Sequence, residues 1–153
     1  MKITIEVQPD LTGKQIIIRT PELDQQTQEL SRLIKSKAAE LVELNFFDQA
    51  GTQYYLKLAD ILFFETDGRK ISVHTAHHVY LTEKKLYQLE EILPDYFMRV
   101  AKSAILNLDQ IFSLKHTLTS NLVQFYNSQK QLYVSRSYYK ALKQRLDERR
   151  LHL

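Results

Sequence analysis

Between residues 44 and 134 the apolar residues come in short runs of strand length, each ended by turn-forming residues, and this constrains the fold more than any other feature. "TQYYLKLADILFFET" reads as two strands broken near Ala59-Asp60. Asp67-Gly68 follows, a dipeptide that tolerates the positive φ of a hairpin turn. "KISVHT" and "HVYLT" supply the next two strands. "QIFSLKHTL", "NLVQFYN" and "QLYVSR" give three more, with "NSQK" as a turn. Helical spacing interrupts this texture in "TEKKLYQLEEILP" and "SYYKALKQRLDERR". Thr82 is placed to cap the first of these, with Glu83 at its start, Leu86, Leu89 and Leu93 on its buried stripe and Pro94 ending it. The second puts Tyr139, Leu142 and Leu146 on one side. The body from residue 44 onward is therefore expected to be mainly β (a β-rich α+β class), antiparallel, with two helices.

The first 43 residues have a different texture. "KITIEV" alternates with period two, and Ile3, Ile5 and Val7 share a face. "QPDLTG" is turn chemistry, and "KQIIIRT" reads as a second strand. Thr20-Pro21-Glu22 is a helix start: the hydroxyl can cap free N–H groups, proline suits the first helical position and glutamate complements the dipole. Leu23, Thr27, Leu30, Ile34, Ala38 and Leu41 then follow helical spacing. The division expected is a small ββα unit over 1–43, suited to dimerisation or a regulatory contact, and a larger domain over 44–153. The first unit is too short for a doubly wound phosphoacceptor domain.

Catalysis finds little support. The chain has no cysteine, which removes thiolate metal sites and thiol nucleophiles, and three glycines could hardly build a phosphate-binding loop. His74, His77 and His78 form an H-x-x-H-H cluster. On a hairpin, adjacent His77 and His78 point to opposite faces, and surface histidines are the simpler reading. Catalytic residues, metal ligands, cofactors and a small-molecule substrate are accordingly not expected. The start lacks a secretory leader, and no apolar run is long enough to span a bilayer, so a cytoplasmic setting is expected.

Charge is informative by its distribution. Net charge is +3, but residues 99–153 carry ten Lys and Arg against three Asp and Glu. A basic face suggests a polyanionic partner, whereas a solvated basic helix would account for the same count. Cations also stand at junctions between elements. Arg69 and Lys70 follow the Asp67-Gly68 turn; Arg99 and Lys102 interrupt "YFMRVAKSAILNL"; Arg136 follows Ser135 where the last strand meets the last helix. Around Lys102 the neighbours Ala101, Ser103 and Ala104 are small, which lets backbone and lysine approach a phosphate or base edge together. Ser137 and Tyr138 offer hydroxyls at the start of the last helix, whose amides favour phosphate.

In order and spacing, "ILFFETDG", "FMRVAKSAILNLDQI" and "YVSRSYYKAL" resemble the LytTR DNA-binding domain of bacterial transcription regulators. Ile61, Phe63, Phe64 and Glu65 match its first strand motif; Leu93-Pro94 matches the end of its short helix. Phe97, Arg99, Ser103, Asn107 and Ile111 match its central motif, and Val134, Ser135, Arg136 and Tyr138 its last. The family's usual His-Arg pair is Ala101-Lys102 here, so a cation is kept without arginine's bidentate grip on guanine. The resemblance implies an elongated arrangement of small antiparallel sheets that reads double-stranded DNA by loops, with two copies on direct repeats. It implies DNA contacts from Arg69 and Lys70, from Lys102 with Ser103, and from Arg136, Ser137 and Tyr138. Arg99 and Asn107 are expected as supports, Arg99 under the loop and Asn107 as a buried amide. Self-association and control by a membrane protein are the further partners implied. The alternative class is a protein-interaction module with no nucleic-acid role.

Overall fold

The computed structural model describes residues 1–12 and 14–151. One helix, α1 (Gln25–Glu40), precedes the body. The body begins with β1 (Phe46–Phe47), β2 (Gln53–Tyr54), β3 (Ile61–Asp67), β4 (Lys70–Thr75) and β5 (Val79–Thr82), followed by α2 (Leu86–Ile92). It continues through β6 (Phe97–Ala101), β7 (Ala104–Asn107), β8 (Ile111–His116), β9 (Asn121–Phe125) and β10 (Gln131–Val134), and ends in α3 (Arg136–Leu151). Strands β1 to β7 form one antiparallel sheet in the order β2-β1-β5-β4-β3-β7-β6, and β10-β9-β8 form a second. The β-rich class and the antiparallel pairing expected from the sequence are what the molecule has.

Strand β3 shows why. Its residues Ile61, Leu62, Phe63 and Phe64 are all buried, because it lies inside the larger sheet and both faces of that sheet are covered. Phe63 faces the second sheet, packing with Val100, Leu106, Val123, Phe125, Val134 and Leu142 of α3. Phe64 faces the other way, toward Phe46, Val73, Phe97, Ile105 and Leu86 and Leu89 of α2. Full burial of each such ring contributes roughly 1.5–3 kcal/mol. Phe63 stacks on Phe125 with ring centroids 5.3 Å apart, joining the two sheets.

Three local expectations are corrected. Among the described residues of 1–20 there is no strand; "KITIEV" and "KQIIIRT" run as exposed chain, and Gly13 of the expected turn lies outside the described residues. An alternating pattern can only become a strand against a partner, and among the described residues neither segment has one. Helix α1 starts at Gln25, not at Pro21, because the Asp24 carboxylate accepts the Thr27 N–H at 2.8 Å and acts as the cap. The Thr20 hydroxyl instead donates to the Glu22 carbonyl at 2.7 Å. Helix α2 starts at Leu86, since Thr82 is consumed by the β5 ladder opposite Ile71. At its start the Gln88 side-chain oxygen accepts the Lys85 N–H at 2.9 Å.

Candidate nucleic-acid interface

Pairing register brings most of the cation-bearing segments to one end of the larger sheet. Asp67 pairs with Lys70, Glu65 with Ala104, and Ala101 with Ala104, so the β3–β4 and β6–β7 turns project side by side. The Thr66 N–H donates to the Ser103 carbonyl at 2.8 Å, tying the two turns together. Arg69, Lys70, Lys102 and Ser103 are all exposed there.

The two turns are built by different means. In the β3–β4 hairpin the central pair is Gly68-Arg69, and Gly68 takes φ +62°, the geometry of a hairpin turn with glycine first. The β6–β7 turn is Lys102-Ser103, and neither residue has positive φ. A turn of that kind splays its strands, and the ladder answers with a register shift between Arg99 and Ala101. Arg99 holds the result. Its Nε donates to the Ala101 carbonyl at 2.7 Å, and its terminal nitrogens reach the Lys102 carbonyl and the Glu90 carboxylate of α2. Its side chain is only 22% exposed. The two cations of "MRVAK" therefore have different surroundings: Arg99 lies under the turn, and Lys102 stands on top of it.

The third segment joins the same end. The Ser135 N–H donates to the Val100 carbonyl at 3.0 Å, fastening the β10–α3 junction to β6. Ala101, Ser103 and Ala104 line one groove together with Leu132, Val134 and Ser135. Arg136 and Ser137 are exposed; the Ser137 hydroxyl lies 3.1 Å from that of Ser135, and the Arg136 guanidinium lies 3.5 Å from the Leu118 carbonyl in the β8–β9 turn. Tyr138 differs from them, because its ring packs against the core. Asn107 is fully buried, its amide donating to the Ile61 carbonyl at 2.9 Å and accepting the Asp109 N–H at 2.9 Å.

Lys84 and Lys85 also belong to this end and were not singled out from the sequence. Thr82 stands opposite Ile71, so the residues that follow it run beside Arg69 and Lys70. The Lys85 Nζ lies 3.4 Å from the Arg69 carbonyl. Arg69, Lys70, Lys84 and Lys85 line one groove against Asp48 and Glu83. The signal was the register of the β4–β5 hairpin, which the Lys-Lys dipeptide alone does not reveal. Glu65, beside these turns, has its carboxyl pushed up by burial and then by Asp67.

His74 lies on β4 behind this end, its Nε2 4.0 Å from a Glu65 carboxylate oxygen. His74 stacks on Phe63 at 4.1 Å, its Nδ1 buried without a partner. Burial first, then Lys130, lowers its pKa to about 4, with Asp67 opposing. His77 and His78 are exposed in the β4–β5 turn.

The sequence profile of the LytTr DNA-binding domain matches residues 51–147. The chain is similar to uncharacterized HTH-type transcriptional regulators of Staphylococcus aureus, among them one from strain COL: 23% identity over 146 residues, covering 95% of this chain and 98% of the relative. A LytTr DNA-binding domain from Bacillus cereus superposes with a TM-score of 0.60 at 20% identity, covering 67% of this chain and 95% of that one. Among the described residues here, strands separate the three helices from one another, so no two adjoin as a helix-turn-helix.

Proposed function

We propose that this chain, which belongs to the LytTr DNA-binding domain family of transcription regulators, binds double-stranded DNA sequence-specifically through the turns at one end of its larger sheet. The observation that carries the reading is the convergence of the β3–β4 turn, the β6–β7 turn and the β10–α3 junction on that end, each bearing an exposed cation. Turns of this size suit a groove: Lys102 with Ser103 reads base edges, and Arg136 with Ser137 enters beside them. Arg69 and Lys70 hold the sugar–phosphate backbone. Arg99 and Asn107 act as supports beneath these contacts. Tyr138, turned to the core, positions the helix start more than it touches DNA.

Two copies occupy direct repeats, and the work is done in the cytoplasm, where the chromosome is. The test is a titration against the protein's own upstream promoter and a scrambled duplex of equal length, at two salt concentrations, with Lys102→Ala alongside. Promoter affinity should exceed scrambled affinity, with log K falling by about 0.9 per log unit of salt for each phosphate neutralised. Lys102→Ala should lose roughly 1–3 kcal/mol on the promoter and much less on the scrambled duplex. Equal, weak binding to both duplexes would leave a basic surface only.

A further inference from the structure

Exposed apolar residues recur along the N-terminal segment, none of which belongs to the proposed DNA contacts. Met1, Ile3, Ile5 and Val7 are each more than four-fifths exposed, and Ile16 and Ile17 more than half. Helix α1 buries none of its residues, with Leu33 66% exposed. Scattered apolar residues on a surface need no explanation, but a run in which every second residue is apolar and exposed marks an interaction site.

We infer that residues 1–7 and helix α1 form the interface with a second copy of this chain, centred on antiparallel pairing of residues 1–7 with the same residues of the partner. The segment is complementary to itself. With the two-fold axis at Thr4, Met1 faces the second copy's Val7, Ile3 its Ile5, and Thr4 its Thr4. Lys2 faces Glu6 on the polar side, and the exchange repeats on the other half of the interface. All apolar side chains then share one face and the cross-strand charges are opposite.

Pairing within one chain is a poorer solution. If residues 14–19 pair back on residues 2–7, Lys2 falls opposite Arg19, and a lone two-stranded hairpin is marginal in water. Between two copies the ribbon is not alone, because the Leu30 and Ile34 side of each α1 covers its apolar face. This inference stands apart from the DNA reading, since no residue of the proposed DNA contacts takes part.

The experiment uses the full chain. Because the chain has no cysteine, Thr4→Cys introduces a single thiol that meets its own copy across the axis. Oxidised Thr4→Cys should run as a cross-linked dimer, whereas Ile3→Cys, which faces Ile5, should link far less. By light scattering the wild-type chain should be a dimer. Lys2→Glu and Glu6→Lys should each weaken dimerisation roughly tenfold or more, and the double exchange should restore it. A monomeric wild type, equal cross-linking at positions 3 and 4, or no rescue by the exchange would overturn the proposal and leave the segment to another protein or to the chain's own body. Loss of promoter binding with an intact dimer would sink the DNA reading alone.

Discussion

The β3–β4 and β6–β7 hairpins sit side by side, are both closed by two residues, and reach that shape by opposite routes. The first is locally self-sufficient: Gly68 adopts the left-handed conformation at no cost in side-chain clashes, and the strands close behind it. The second has no glycine and takes its shape from a residue outside the turn, with Arg99 spanning two carbonyls and a carboxylate. The difference separates two ways of presenting a cation. Arg69 rides on a turn that its own sequence dictates, whereas Lys102 rides on one that depends on α2 being in place.

The largest effect should come from removing the brace. Arg99→Ala leaves the Glu90 carboxylate and two carbonyls without their shared donor, and should lower stability by roughly 2–3 kcal/mol in urea unfolding. It should also weaken promoter binding as much as Lys102→Ala, which leaves stability nearly unchanged. Arg99→Lys keeps the charge but cannot span the same acceptors, so it should recover only part of the loss. An Arg99→Ala protein as stable as wild type would show both turns to be equally self-sufficient.

A smaller effect is expected at Gly68. A Cβ there meets nothing within 4 Å, so the cost of Gly68→Ala is the left-handed backbone alone, about 1 kcal/mol. Gly68→Asn should cost less, since asparagine tolerates that region. If Gly68→Ala were neutral in the same unfolding assay, the turn would have to have shifted away from φ +62°.

The smallest change should come from Lys84→Ala, which removes a cation from the flank of the first turn. Affinity for promoter and scrambled duplex should fall together, and the salt slope should shrink by about 0.9, the contribution of one phosphate contact. A selective loss on the promoter would instead move Lys84 into base readout.

The sequence exposed these features unequally. Asp67-Gly68 announced its turn, because the conformation is a property of the glycine itself. The apolar run of β3 and the helical stripe of α3 were legible for a similar reason, since burial leaves a periodic trace. Thr82 was misread because the same residue type caps helices and pairs well in strands, and the choice rested on β4 reaching it. Residues 2–7 looked like a strand, yet alternation states only which face is apolar and says nothing of where the partner lies. Lys84 and Lys85 became part of the site only through register, a long-range property. Arg99 was expected under its loop from the family resemblance, while its contact with Glu90 depends on how α2 packs.

One consequence of β3 concerns mechanics. It is hydrogen-bonded along both edges, to β4 and β7, and packed on both faces. The turns at its end are therefore projections of one stiff plate, and their spacing cannot change without breaking the ladder. For the DNA reading proposed here, any mismatch between that spacing and the grooves falls on the softer body, the duplex. Bending a site of 20–30 base pairs costs on the order of 1–6 kcal/mol and is cheapest at flexible pyrimidine–purine steps. Base pairs that no side chain touches would then contribute to target choice through the ease with which they yield.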